Sequence, residues 1–212
     1  MTPIDLGVLI SGRGSNLQAI LDAIAAGALA ARVRVVISNR PKAGGLERAA
    51  AAGVPTQVIN HRQFPDRESF DAALVEALRA AEAQWVVLAG FMRILTPVFL
   101  DGFPNRVVNI HPALLPSFPG VDAQGQALAY GVRISGCTVH LVNEGVDTGP
   151  ILAQVAVPVH EDDDHDGLAA RILAEEHQLL VRTLQRIAVE GVAIEPPPEA
   201  EGRPRVRFGR SP

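Results

Sequence analysis

The chain has 212 residues, 48% hydrophobic and 20% charged, with a net charge of -4, a composition ordinary for a soluble globular protein. The charge argues against a general nucleic-acid or membrane surface while leaving room for an anionic ligand in a locally basic pocket, and the single cysteine, Cys137, excludes an internal disulfide framework. The opening residues MTPIDLGVLISG lack a basic segment before their apolar run, and no stretch approaches a membrane span, so the sequence predicts an unprocessed cytoplasmic protein.

Residues 4–10 form a short apolar run that feeds Ser11-Gly-Arg-Gly-Ser-Asn16 and then a helical segment from 17 to about 26. This is strand, glycine turn, helix, and Gly14, Ser15 and Asn16 stand where free amides and the positive dipole end favour an anion. The dinucleotide fingerprint fails, because Leu17 replaces its third glycine and the second strand ends in Ser38 and Asn39 rather than an acid; the Walker pattern fails for want of Gly-Lys-Ser/Thr. A small phosphate cradle or an ordinary tight turn remains.

Residues 33–37 read as the second strand, 44–52 as a helix stopped by Gly53 and Pro55, and 56–59 as the third strand. Asp66 then caps a helix with Phe70, Leu74, Ala77, Leu78 and Ala81 at helical spacing. Arg67 in its first turn opposes the dipole and, from position alone, reads as solvated surface. Residues 85–89 are flatly apolar, hence a strand buried on both faces. In the following Gly90-Phe-Met-Arg-Ile-Leu95 the apolar side chains either pack beneath the loop or wall a pocket for a flat ring system, and Thr96-Pro97 opens a short helix. The alternation predicts an α/β fold with a doubly wound, mostly parallel sheet.

Val107 to Gly120 reads VVNIHPALLPSFPG, a short strand running into a loop stiffened by three prolines. Asn109 and His111 lie two apart, so they share a face near the strand's carboxyl end, where open α/β sheets bind ligands; a core histidine beside a capping Asn is the plainer alternative. Leu115-Pro116 is a candidate cis bond. Residues 123–130 form a helix closed by Gly131, and the β-type runs 134–142 and 150–159 flank the loop Asn143-Glu-Gly-Val-Asp-Thr-Gly149, which predicts a hairpin and antiparallel strands. Asp147 is either a turn residue or, with the loop folded back, a carboxylate that reaches His111, raises its pKa and keeps a cationic donor near neutral pH. His140 reads as a hydrogen-bonded structural residue. Glu161-Asp-Asp-Asp-His-Asp166 reads as a solvated helix cap rather than a metal site. In the helix from about 166 to 188, Glu176 interrupts the stripe of Leu168, Ile172, Leu179, Leu180 and Ile187, so it either points inward or marks the stripe's edge. The tail after Ile194 is Pro- and Arg-rich, with at most one edge strand around 205–208.

Taken in order, Ser11-Gly-Arg-Gly-Ser-Asn-Leu17, Leu88-Ala-Gly-Phe-Met-Arg-Ile-Leu95, Asn109-Ile-His-Pro-Ala-Leu-Leu-Pro116, Gly136-Cys-Thr-Val-His140 and Asp147-Thr-Gly-Pro-Ile151 resemble the motif set of glycinamide ribonucleotide formyltransferases. The similarity runs from the first strand to about Leu180. It implies a Rossmann-like formyltransferase fold in one domain, residues 1–212, with a ribonucleotide phosphate-binding half of about 1–104 and a folate-binding, catalytic half of about 105–212. It implies transfer of a formyl group from 10-formyltetrahydrofolate to the ribonucleotide amine in purine biosynthesis, directly and without metal. The residues it implies are Asn109, His111 and Asp147 for catalysis, and Gly14, Ser15, Asn16 and Glu176 for the ribonucleotide. For folate it implies Arg67, Met92, Arg93, Ile94, Leu95, Asn143, Glu144, Gly145 and Val146, with Asn109 and Asp147. The partners it implies are small molecules, with no nucleic acid or membrane, in a monomer or homodimer.

Gly120-Val-Asp-Ala-Gln-Gly125 departs from the family by lacking a His that many bacterial members carry, and has no assigned role. Formyltransferases acting on methionyl-tRNA or a sugar amine, and the related formylfolate hydrolase, share the Asn/His/Asp chemistry; the phosphate turn and the 212-residue length weigh against them. A non-catalytic nucleotide-binding module is the alternative from another class, and it leaves Asn109, His111 and Asp147 unexplained.

Overall fold

The structure, a computed structural model, describes residues 3–197, 199 and 202–209. The chain divides into two units, Met1–Asn109 and Ile110–Pro212.

In the first unit, β1 (Ile4–Ile10) lies between β2 (Ala31–Ser38) and β4 (Trp85–Leu88), with β3 (Thr56–Val58) outside β2 and β5 (Val107–His111) outside β4. All of these pairs are parallel. A parallel sheet covered on both faces demands continuous apolar strands rather than alternation, and Leu6, Val8, Leu9 and Ile10 are each 0% exposed. The crossovers are α1 (Ser15–Ala25), α2 (Gly45–Ala51), α3 (Arg67–Ala80) and α4 (Pro97–Gly102). The chain lays down β2 and β3 on one side of β1, then β4 and β5 on the other, so the strand order reverses between β1 and β4. Ligands bind at the carboxyl ends beside such a switch.

Gly7 in β1 lets α3 pack closely, since a Cβ there would overlap Leu78 Cδ2. The Asp66 cap is formed as predicted, its carboxylate accepting the Ser69 amide at 2.7 Å. Helix α1 starts two residues earlier than its apolar periodicity suggests, because Gly14, in the left-handed region at φ 74°, sets the turn that launches it at Ser15.

The second unit opens with the end of β5. It continues through α5 (Ala123–Tyr130), stopped by left-handed Gly131 at φ 79°, and the antiparallel pair β6 (Ile134–Leu141) and β7 (Ile151–Pro158). The 26-residue α6 (His165–Glu190) buries Leu168, Ile172, Leu179, Leu180, Leu184 and Ile187. The strand expected around 205–208 exists as β9 (Arg205–Phe208), but it is not single: β8 (Val192–Glu195), a short apolar run just after Gly191 ends α6, pairs with it. The fold is thus α/β, a parallel sheet in the amino-terminal half and antiparallel strands in the carboxyl-terminal half, as the sequence predicts. Among the described residues, no helix is long and apolar enough to cross a membrane.

Candidate active site

In the first unit the glycine turn is built from backbone contacts. A Cβ on Gly14 would stand 2.6 Å from Gly45 Cα, so two glycines let the starts of α1 and α2 touch. Gly45 N–H donates to Gly12 O at 3.1 Å, and Arg48 Nε to Arg13 O at 2.9 Å. No acidic side chain occupies the first turn of α1. Arg48 thus braces the turn, a contact invisible to local patterning because it joins residues 35 apart.

The loop after β4 is pinned at three points. Met92 N–H donates to Ser11 Oγ at 2.9 Å, and that hydroxyl donates to Asn39 Oδ1 at 2.7 Å. Arg67 Nη2 donates to Ile94 O at 2.9 Å, so Arg67 is a loop brace rather than merely solvated surface. Thr96 N–H donates to the buried Asp71 Oδ2 at 2.6 Å. Burial raises the Asp71 carboxyl above its ordinary value, with the Thr96 hydrogen bonds and the Arg67 and Arg93 charges opposing. Asp71 was missed from sequence, although it falls three residues before Leu74 and seven before Leu78, on the buried stripe of α3. The two readings of the loop's apolar residues divide by residue: Phe91 and Leu95 are 8% and 5% exposed and pack beneath, whereas Met92 and Ile94 are 68% and 56% exposed and face outward. The Arg93 guanidinium lies 5.4 Å from the Phe70 ring.

In the second unit His111, 4% exposed, meets oxygen at both ring nitrogens: Nε2 is 2.8 Å from Phe118 O and Nδ1 is 3.3 Å from Asp147 Oδ2. Asn109 precedes it by two residues on β5 and is half-buried. The Asp147 carboxylate accepts the Gly120 amide at 2.8 Å, and its other oxygen lies 3.5 Å from Nε2 of His140. Segment 120–125, without a role in the sequence reading, therefore supplies a donor to Asp147. His140 is hydrogen-bonded as expected, with Nδ1 2.9 Å from Leu141 O and Nε2 toward the Asp147 carboxylate. The bond Leu115-Pro116 is cis. Beside it the Thr138 hydroxyl donates to Ala113 O at 2.7 Å and accepts from Leu115 N at 3.1 Å, which holds the loop after His111 to β6.

Burial alone would raise the Asp147 carboxyl, but the hydrogen bonds from His140 and Gly120 and the neighbouring imidazoles hold it below the usual carboxylate value. For His111 the balance is reversed. Burial pushes it below its ordinary value, and the Phe118 carbonyl and Asp147 carboxylate offset this only in part. Asp147 thus acts on His111 in the expected direction, raising its pKa, while desolvation acts against it and sets the net direction.

Asn143, Glu144, Gly145 and Val146 are exposed, with Thr148 Oγ1 donating to Asn143 Oδ1 at 2.8 Å. Glu176 points inward, 7% exposed on α6, and contributes with burial and Glu175 to pushing the Cys137 thiol up to about 12. In the acidic run, Asp164 caps α6 through Gly167 N–H at 2.7 Å, and Asp163 binds both Arg171 amino groups at 2.7 Å. The fold therefore groups the implied residues as the turn Gly14–Asn16, the braced loop with Arg67, and the pair His111 and Asp147.

A general model of the formyl transferase domain matches residues 6–184, and the chain belongs to the formyl transferase family. Among its relatives, the phosphoribosylglycinamide formyltransferase of Mycobacterium tuberculosis is 48% identical over 192 residues, covering 91% of this chain and 88% of the relative. The trifunctional purine biosynthetic protein adenosine-3 of Drosophila melanogaster is 50% identical over 191 residues, but the chain spans only 14% of that protein's length. The solved structure of glycinamide ribonucleotide transformylase 1 from Symbiobacterium toebii superposes with a TM-score of 0.92 at 50% identity, covering 99% of this chain and 95% of that one.

Proposed function

We propose that this chain transfers the formyl group of 10-formyltetrahydrofolate to the amine of glycinamide ribonucleotide, giving formylglycinamide ribonucleotide in purine biosynthesis. The observation that carries the proposal is the buried His111–Asp147 pair at 3.3 Å, placed on a chain that aligns over 88% of a relative named for this reaction. The near full-length match also favours this reading over formyl transfer to tRNA. Both substrates are small molecules, and the reaction belongs in the cytoplasm.

Attack of the amine on the formyl carbon produces a tetrahedral oxyanion, and donors aimed at that oxygen lower the barrier most. The Asn109 amide is one donor and His111 the other. In the free protein His111 Nε2 faces the Phe118 carbonyl, and it exchanges this acceptor for the oxyanion. Because burial disfavours the imidazolium until a negative charge develops beside it, His111 is a donor that strengthens along the reaction. Asp147, held as a carboxylate, orients Nδ1 and balances that charge; the proton lost by the attacking amine passes through water at the same carboxylate to the folate nitrogen, whose bond to the formyl carbon breaks as the carbonyl re-forms, so that it departs as a neutral amine. Gly14, Ser15 and Asn16 receive the phosphate at the positive end of α1, and Glu176 holds polar groups of the ribonucleotide. Arg67, Met92, Arg93, Ile94 and Leu95 contact folate, with the backbone of 143–147 holding the pteridine.

The test follows formyl transfer from 10-formyl-5,8-dideazafolate to glycinamide ribonucleotide by absorbance. Turnover that needs both substrates is expected, and folded protein without turnover overturns the reading.

A further inference from the structure

We infer that Arg203, in the chain beyond α6, is a positioning residue that holds Asp147 toward His111; the inference rests on the role proposed for Asp147. Arg203 Nη2 donates to Asp147 O and Nη1 to Gly149 O, each at 3.2 Å, so one planar guanidinium spans the two carbonyls flanking Thr148. The family model ends at residue 184, well before this arginine.

The loop needs such a brace. Asp147 adopts φ 54°, the left-handed region that non-glycine residues occupy only at a cost, so its conformation persists through contacts that over-determine it. Residues 143–146 before it are exposed and bury little apolar surface. Gly149 is pressed against the Leu141 carbonyl, where a Cβ would overlap, and Leu141 N–H closes the loop base on Pro150 O at 2.8 Å. That fixes the far end of the loop, and the Arg203 fork extends the fixed backbone to Asp147 itself. With its carbonyl tied, the carboxylate can present Oδ2 to His111 and Oδ1 to His140 at once.

The fork is itself anchored. Two residues on, β9 pairs with β8 from Glu195↔Arg205 to Val192↔Phe208. Phe208 lies under the Arg186 guanidinium of α6 at 3.8 Å, and Arg207 pairs with Glu195 at 2.9 Å. The tail thus runs from a hairpin seated on α6 to the Asp147 loop, and arginine keeps its charge throughout the working pH range. The groups facing His111 among the described residues of this unit are Asp147, His140 and the Phe118 carbonyl. Of these, Asp147 is tied to Arg203 through its carbonyl.

The test compares wild type, Arg203→Ala and Arg203→Lys in the full chain, by NMR titration of the His111 ring and by steady-state kinetics. The Asp147 carboxylate raises the His111 pKa, so loosening it moves the midpoint of Arg203→Ala down. The same variant loses roughly tenfold to a hundredfold in kcat/KM, the scale of a small misplacement of a catalytic group. Lysine, which cannot fork between two carbonyls, restores only part, whereas added guanidinium ion recovers activity in Arg203→Ala. An unchanged His111 midpoint in a folded Arg203→Ala overturns the inference, even where melting temperature falls, because a purely structural arginine moves stability and not the titration. The midpoint is read without turnover, so an inactive wild type would sink the proposed reaction while the titration still judges Arg203.

Discussion

His111 Nδ1 and Asp147 Oδ2 lie 3.3 Å apart, yet the histidine's pKa is lowered rather than raised. The relationship is a balance between a carboxylate that favours the imidazolium and a burial that penalises it, with burial ahead. Such a pair stores a response: both ring nitrogens face acceptor oxygens, which favours the doubly protonated ring, burial penalises it, and any negative charge that forms at Nε2 tips the balance towards the cation.

Replacing Asp147 by Asn keeps the side chain's size and an oxygen to accept Gly120 N–H, but removes the charge that opposes His111 desolvation. Asp147→Asn is expected to fold normally by circular dichroism and to lose about 10²-fold or more in kcat, the range of a missing acid–base partner. Near-normal kcat across the pH range would reduce Asp147 to a turn residue.

The elements of this fold were legible because each rests on local rules: flat apolar runs for β1 and β4, an Asp66 cap, a Gly131 stop. The pair Asn109 and His111 was legible from period-two spacing and flanking prolines. What the residues could not announce were hydrogen bonds between distant segments, such as Gly120 on Asp147, Ser11 on the Met92 amide, or Arg203 on the 147–149 backbone. These depend on loop conformation, which no periodicity encodes. The net direction at His111 was out of reach for a related reason: the sign of Asp147's effect follows from its chemistry, but the desolvation opposing it is set by three-dimensional burial. Asp71 is different, because its stripe position beside Leu74 and Leu78 was visible and its polarity hid it.

The same burial makes stability depend on pH in two stages. The His111 pKa is lowered from 6.5, so above that value neither folded nor unfolded protein carries the proton; as pH falls below it, the unfolded chain takes the proton first and stability drops. His177, also lowered by burial, adds to this stage. Asp147 is lowered from 3.8, so its contribution is present above that value and is lost as pH falls further. Calorimetry should show the melting temperature declining below about 6.5, then again below about 3.8. His111→Asn should flatten the first decline, and a wild-type melting temperature constant from pH 7 to pH 5 would refute the burial-lowered His111 pKa.

Gly14 combines a left-handed backbone with a Cβ position 2.6 Å from Gly45 Cα. Gly14→Ala therefore meets strain and overlap together, an expected loss of about 1–3 kcal/mol and several degrees of melting temperature. If the turn binds phosphate, calorimetric affinity for the ribonucleotide falls further than stability explains. Unchanged affinity in the folded variant would move the phosphate elsewhere.

Cys137 is fully buried, its thiol pushed up to about 12. Only a thiolate reacts quickly with a disulfide reagent. At pH 8 the native protein is expected to resist labelling, with modification tracking unfolding in a urea titration. Rapid labelling without denaturant would show that β6 opens readily in the native state.

Asp71 offers a test of how the loop after β4 is held. Its carboxylate accepts Thr96 N–H at 2.6 Å inside the first unit, so Asp71→Ala leaves a buried amide without its acceptor, at an expected cost of about 1–3 kcal/mol. The loop carrying Met92 and Ile94 is released with it, so the KM for formylfolate should rise while kcat changes less. Asp71→Asn keeps an acceptor without the charge. Burial raises the Asp71 pKa above 3.8, so the folded protein holds a proton that the unfolded chain has released, and wild-type stability falls as pH climbs through the interval between the two values. Asparagine does not titrate. Urea denaturation should therefore find Asp71→Asn closer to wild type at pH 7 than at pH 4. The opposite order would mean that the charged hydrogen bond to Thr96, rather than desolvation, dominates the energetics of this carboxylate.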